Sequence, residues 1–139
     1  MANNYKELLL NLANNLNKIY NYSKSLHWNA YGINYYSDHL LYERISDDIP
    51  NLIDGLIETC LIPIQSKTDM VEDFSRVFES SEFGEVTPDI LLNTIIDTIK
   101  LADGISLAND VPQGIKTFLT DISKLLLVKG GLLDRRLKW

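Results

Sequence analysis

Apolar residues recur at three- and four-residue steps along the chain, the spacing of helices with one buried face. The first stretch carries Tyr5, Leu8, Leu9, Leu12, Leu16, Ile19, Tyr20 and Leu26. Gly32 and Asn34 then interrupt the pattern. The second stretch predicts a helix from Tyr36 to Leu61, with an apolar set of Leu40, Leu41, Ile45, Ile49, Leu52, Ile53, Leu56 and Ile57.

Prolines mark the places where this second helix changes. Pro50 lies inside it and removes one backbone hydrogen bond, so we expect a bend and not an end, since the apolar pattern continues. Pro63 closes the segment. A short helix is then expected from Asp69 to Glu79, within a polar stretch that ends at Gly84.

Capping signals introduce the last two long helices. Thr87 and Pro88 predict an N-cap followed by proline at the first helical position. The third helix has the apolar set Ile90, Leu91, Ile95, Ile96, Ile99, Ala102 and Ile105. After a break at 110–112, the fourth has Ile115, Phe118, Leu119, Ile122, Leu125, Leu126, Leu133 and Leu137.

The predicted fold is all-α: a four-helix bundle with a short extra helix between the second and third helices. The connection that holds this short helix is long enough to cross the bundle, as ferritin-like topologies require. No repeat or long linker divides the chain, so residues 1–139 are expected to form one domain. Gly130 and Gly131 in the fourth helix indicate a close helix approach or a local kink.

Composition narrows the class of protein. No run of about 18 uncharged apolar residues occurs, so no membrane span is expected. The start lacks the pattern of a signal peptide, which favours an intracellular, cytoplasmic protein. The single Cys60 excludes an internal disulfide framework and is expected to be a small buried hydrophobe.

The net charge of −6 argues against nucleic acid as the main partner. The only basic cluster, near the C-terminus, is expected to favour the dipole of the last helix; its members are Lys129, Arg135, Arg136 and Lys138.

Both histidines of the chain fall in one window with spaced carboxylates. His27 and His39 are followed by Glu43, Asp54 and Glu58. Imidazole nitrogens and carboxylates together suit divalent iron, zinc or manganese. The window therefore predicts a metal site, although solvated carboxylates and structurally satisfied histidines are the alternative interpretation of each residue alone.

The spacing says how such a site could be assembled. On a continuous helix His39, Glu43, Asp54 and Glu58 share one stripe, but about 16 Å of rise separates the His39/Glu43 pair from the Asp54/Glu58 pair. One ion cannot reach both. An antiparallel copy of the helix, related by a two-fold axis near Asp48, would bring each pair opposite its complement, with His27 as a further ligand. No Glu-x-x-His motif supports the rival di-iron centre within one bundle.

The window resembles the Dps family of mini-ferritins. The residues that carry the resemblance are His27-Trp28-Asn29 at the end of the first helix, Gly32, His39, Glu43, Asp54 and Glu58, supported by the stretch from Gln113 to Ile122. The resemblance covers essentially the whole chain. It implies a dodecameric hollow shell built on two-fold dimers, with His27, His39 and Glu43 from one chain and Asp54 and Glu58 from its partner.

The resemblance also implies an activity. Relatives oxidise Fe(II), typically with hydrogen peroxide, and store ferric mineral, which protects against oxidative stress. Zinc is a competing occupant, since intrinsic affinity favours it over Fe(II). A non-catalytic shell or interaction module, or a DNA-protecting shell, is the alternative function. We expect no DNA binding by this chain, because it is acidic and has only Lys6 before the first helix is under way.

Two neighbours of the ligands complete the hypothesis. Lys24 lies one turn before His27 and is expected to pair with Glu43 or Asp54, with a plain surface salt bridge as the alternative. Trp28 resembles the near-site aromatic of the family, and an interface aromatic is its other interpretation. Pro50 lies near the proposed two-fold contact, where relatives have an uninterrupted helix, so a bent interface is expected.

Overall fold

The computed structural model describes residues 5–64, 70–79 and 85–138, and every regular element in these ranges is helical. The all-α prediction is therefore confirmed for this part of the chain. In order, the elements are α1 Lys6–Asn29, α2 Tyr35–Ser46, α3 Ile49–Leu56, a π-helical turn Ile57–Leu61, a 3-10 turn Ile62–Ile64, α4 Met70–Val77, α5 Pro88–Ser106 and α6 Gln113–Lys138.

Helix α1 is the centre of the packing. It contacts α2, α3, α4 and α5, while α6 packs mainly on α5 and also touches α2. The apolar faces predicted by the helical period meet in one hydrophobic cluster. Among its fully buried members are Leu9, Leu12, Leu16, Ile45, Leu56, Leu91, Ile95, Leu119 and Leu126.

The predicted start of the third long helix is confirmed by the structure. The Thr87 hydroxyl accepts a hydrogen bond of 3.2 Å from the Ile90 amide, and Pro88 opens α5, as the capping pattern predicted. Helix α4 lies inside the predicted range of the short helix. Asp69, where that prediction began, and Gly84 lie outside the described residues.

The expectation that Pro50 only bends the second helix is wrong. Helix α2 ends at Ser46, and α3 begins at Ile49 after Asp47 and Asp48. Asp48 has a φ of 66°, in the left-handed region that residues with a Cβ avoid. Pro50 thus stands in the first turn of a new helix, where its missing N–H costs nothing. The π-helical turn after Leu56 changes the helical phase a second time.

A buried lysine stabilises this break. Lys129 of α6 is 4% exposed, and its Nζ donates hydrogen bonds to the carbonyls of Arg44 (2.6 Å) and Asp47 (2.8 Å). These carbonyls belong to the open C-terminal end of α2, whose last C=O groups need donors. The helix-dipole interpretation of the basic cluster is therefore wrong for Lys129, which acts on the end of another helix.

Two smaller predictions concern small residues. A Cβ on Gly130 would lie 3.1 Å from Ile95 Cγ2, so Gly130 does mark a close approach of α5 and α6. Gly131 meets nothing within 4 Å, and α6 runs through both glycines. Cys60 is fully buried in the apolar cluster, as expected.

No helix in the described ranges is both long and apolar enough to span a membrane.

Candidate metal centre

The two histidines are brought together by the turn between α1 and α2. His27 lies in the last turn of α1, and His39 lies near the start of α2. The connection between the helices runs through Gly32, whose φ of 88° is a conformation that glycine adopts without strain. The chain therefore reverses within a few residues, and the two imidazole rings stack with their centroids 3.7 Å apart and their planes 20° apart.

Each histidine donates a hydrogen bond to the backbone of the other. His27 Nδ1 lies 2.7 Å from the His39 carbonyl, and His39 Nδ1 lies 3.0 Å from the His27 carbonyl. Because a carbonyl only accepts, each Nδ1 carries the proton, and in a neutral ring this leaves Nε2 with a free lone pair. Backbone carbonyls orient metal-binding histidines in the same way in known metal sites.

The histidine pair is partly buried. His27 is 8% exposed, while His39 is half-buried and stacks on Tyr35, whose ring centroid lies 5.3 Å away. Helix α2 is held in place by Arg136 of α6, which donates from Nε (2.7 Å) and Nη2 (3.2 Å) to the Asp38 carboxylate. This bidentate pair raises the pKa of Arg136 and fixes the element that carries His39.

The three predicted carboxylates are exposed and stand apart from the histidines. Glu43 lies one turn after His39 on α2, Asp54 lies on α3, and Glu58 lies on the π-helical turn. Within the described residues, no three His, Cys, Asp or Glu side chains converge closely enough to hold a metal ion. One chain thus brings His27 and His39 together, and it does not bring Glu43, Asp54 or Glu58 to them. The five-residue ligand set stays a prediction.

Asp54 lines a groove that is mostly apolar. This groove, of about 400 Å³, lies between α1 and α3. We call it the Asp54 groove, and its lining residues are Asn17, Tyr20, Pro50, Ile53, Asp54, Ile57 and Phe78.

A second, polar hollow adjoins the groove at the helix break. It has a volume of about 230 Å³ and shares Tyr20 and Pro50 with the Asp54 groove. We call it the Lys24 hollow; its other lining residues are Lys24, Ser46, Asp47, Asp48 and Asn51.

The two residues predicted to support the site both face away from the core. Lys24 Nζ lies 5.9 Å from the centroid of the Tyr20 ring, and in the described part of the chain no ion pair joins it to Glu43 or Asp54. Trp28 is 72% exposed. Their roles beside a completed site therefore stay predictions.

The sequence did not predict the role of Lys129, which donates hydrogen bonds to the C-terminal end of α2. Burial lowers the pKa of Lys129, an effect opposed by the charges of Asp48 and Asp47. A pattern in the sequence does mark this lysine, because it falls on the same helical stripe as Ile122, Leu126 and Leu133 and so occupies a core position of α6. The partner it caps is not evident from α6 alone.

No protein-family model, no curated protein and no solved structure matches the chain.

Proposed function

We propose that this chain is a Dps-like ferroxidase and iron-storage protein that oxidises Fe(II) at sites shared between two chains. One observation carries the proposal: His27 and His39 are held side by side, each Nδ1 is bound to the other's backbone carbonyl, and in the described residues no third His, Cys, Asp or Glu joins the pair. Two oriented imidazoles form an incomplete site, and the exposed Asp54 and Glu58 of a second copy are the groups that would complete it.

The proposed fold is the ferritin-like four-helix bundle. Helix α1, the broken unit α2–α3, α5 and α6 would be its four long members, and α4 would lie in the connection between the second and third. The packing of α1 on α2, α3 and α5, together with that of α6 on α5 and α2, supports this arrangement.

Iron is the substrate in this proposal. Imidazole nitrogens from His27 and His39 and carboxylate oxygens from Glu43 and the partner's Asp54 and Glu58 form a mixed donor set that binds Fe(II) and stabilises the harder Fe(III) product. Two Fe(II) ions together supply the two electrons that reduce one hydrogen peroxide to water, which limits the release of hydroxyl radicals. The ferric product hydrolyses and is stored as mineral inside a closed shell.

The biological setting follows from the resemblance. The chain would act in the cytoplasm as a dodecamer built on two-fold dimers and would protect against oxidative stress. Zinc, which such donors bind more tightly than Fe(II), would compete for the site.

A non-catalytic helical shell is the second candidate, and the helix break favours it. The angles that align His39/Glu43 with Asp54/Glu58 assume a continuous helix, whereas Asp47 and Asp48 interrupt it. The reciprocal histidine hydrogen bonds also have a structural effect, because His39 supplies a donor to a carbonyl in the last turn of α1.

Iron oxidation separates the two candidates. We expect anaerobic protein loaded with Fe(II) to form ferric absorbance on addition of peroxide faster than buffer does. His39→Asn keeps a donor near the position of Nδ1 but lacks Nε2, so we expect wild-type thermal stability with no acceleration. Asp97→Asn, an exposed carboxylate on α5, is the matched control and should keep full activity. Wild-type activity in His39→Asn would remove His39 from the site.

Complementation between chains tests the shared site. His39→Ala chains and Asp54→Asn/Glu58→Gln chains are each expected to be inactive alone. When equal amounts are unfolded and refolded together, half of the dimers are mixed and hold one intact site of two, so roughly a quarter of wild-type activity should return. A mixture as inactive as its components would show that no site is shared.

A further inference from the structure

One face of α1 carries three unlike features in a row. Asn17 and Tyr20 line the Asp54 groove, Lys24 lines the adjoining hollow, and Trp28 projects beyond it, 72% exposed. Steps of three and four residues place all four side chains on one stripe of the helix. The stripe thus runs from an apolar recess through a charged hollow to an exposed aromatic ring.

The order of these features makes the surface self-complementary. A two-fold axis that places Trp28 of one chain over the Asn17–Tyr20 recess of the other must cross α1 midway between them, near Ser23 and Lys24. Midway between the His39/Glu43 pair and the Asp54/Glu58 pair lies Asp48. Lys24 and Asp48 line the same hollow, so both midpoints fall at one place on the surface. An axis through this hollow is therefore common to the two midpoints.

The charges at this place are also complementary between copies. In the described residues Lys24 forms no ion pair, although it lies beside the exposed Asp47 and Asp48. A two-fold axis through the hollow puts the long Lys24 side chain of each chain beside the two acids of the other. An antiparallel contact therefore adds opposite charges at its centre and an aromatic ring in an apolar recess at each end.

We propose that a second copy of this chain covers the surface, with the partner's Trp28 filling the Asp54 groove and the partner's Lys24 pairing with Asp47 and Asp48. Trp28 follows His27 directly, so a ring seated in the groove brings the histidine pair of one chain towards Asp54 of the other. The choice of Asp48 as a midpoint rests on the two-chain metal site proposed above. The stripe on α1 and the absence of an ion pair at Lys24 in the described residues are independent of that proposal.

Tryptophan emission reports the contact directly. In a Trp139→Phe background, Trp28 is the sole tryptophan. We expect its emission to be blue-shifted at concentrations where light scattering shows association, and to move to the red on dilution in step with the loss of mass. An emission maximum that stays that of exposed indole in the associated protein would overturn the inference.

Substitutions test the two ends and the centre separately. Trp28→Lys is expected to weaken self-association, measured by sedimentation equilibrium, at least about tenfold. Leu107→Lys is the control. Leu107 is 82% exposed and lies outside the proposed contact, so this substitution should leave association unchanged. Lys24→Glu should weaken association more than Lys24→Met does, and Asp47→Asn/Asp48→Asn added to Lys24→Glu should restore part of it. Lys124→Glu, an exposed lysine on α6, controls for the change in net charge.

The outcomes keep this inference apart from the proposed activity. Wild-type association in Trp28→Lys, with iron oxidation intact, would overturn the inference and leave the ferroxidase proposal standing. Association that depends on Trp28 and Lys24 as described, in a protein that does not accelerate iron oxidation, would uphold the dimer surface and remove the activity. Circular dichroism on each variant separates loss of the contact from loss of the helices.

Discussion

His27 and His39 are each held by a hydrogen bond to the backbone and by stacking on the other ring. Each ring fills one hydrogen bond with the other's carbonyl and lies flat against the other ring, so both orientations are set by the protein alone. Donors held in advance lose less conformational entropy when a ligand binds. At the scale of single residues, the fold therefore orients two imidazole rings in advance, as the proposed metal site requires.

Cys60 shows the opposite situation, a reactive group made inert by burial. It is fully buried, and burial raises the pKa of its thiol to about 12. The folded state keeps a proton that the unfolded chain loses above its ordinary pKa of about 8.5, so this group contributes less stability as the pH rises past that value.

We expect Cys60 to resist thiol reagents in the native protein. The thiolate is the reactive form of cysteine. At pH 8 the fraction of Cys60 present as thiolate should be lower in the folded protein than in the unfolded chain by roughly three orders of magnitude. Reaction with a chromogenic disulfide, followed by absorbance, should therefore be slow without denaturant and fast in urea. Equal rates in the two conditions would show that the thiol is accessible.

At the scale of elements, the break between α2 and α3 is the main departure from a regular helix. Asp48 takes a left-handed conformation, and Lys129 supplies donors to the carbonyls of Arg44 and Asp47. Ser46 adds a hydrogen bond of 2.7 Å from its hydroxyl to the Glu43 carbonyl. The orientation of the two halves that carry the predicted ligands thus depends on contacts with α6 and on one unusual backbone angle.

Glycine substitutions at the break test this geometry. Asp48→Gly and Asp48→Ala remove the same carboxylate, but only alanine keeps a Cβ in the left-handed region, so we expect Asp48→Gly to be more stable by about 1 kcal/mol. At Asp47, with a φ of −60°, the order should reverse, because glycine gains only unfolded-state entropy there. Urea unfolding measures both pairs. The same order at both positions would contradict a left-handed Asp48.

At the scale of the whole molecule, several basic residues are engaged by contacts within the described part of the chain. Arg76 pairs with Glu7 at 2.6 Å, Lys6 with Asp73 at 2.9 Å and Lys138 with Asp134 at 2.7 Å. Arg136 is bound to Asp38, and Lys129 is buried. With a net charge of −6 per chain, any assembly of copies adds to the acidic excess.

We therefore expect no retention of duplex DNA in a gel-shift experiment at low salt. Phosphate binding needs clustered and accessible cations, and its affinity falls steeply as salt increases. A shift that disappears on raising the salt concentration would contradict this and would favour the DNA-protecting shell. Arg136→Gln, which frees Asp38, should not create a shift either.

The sequence by itself determined the first helix, the last two long helices and the identity of the candidate ligands. Three of the signals are local: the apolar period, the Thr87–Pro88 cap and the break at 110–112. Each depends only on residues a few positions apart in the sequence. The clustering of both histidines in one window is likewise evident without coordinates.

Only the tertiary structure decided the positions of these candidate ligands relative to one another. The contact of His27 with His39 depends on a reversal at Gly32, and the end of α2 at Ser46 depends on Lys129, more than 80 residues further along the chain. A helical period carries no information on such a partner, because an apolar pattern continues unchanged across a break when both halves pack on the same core. The phase between His39/Glu43 and Asp54/Glu58 was therefore set by long-range contacts that local pattern does not encode.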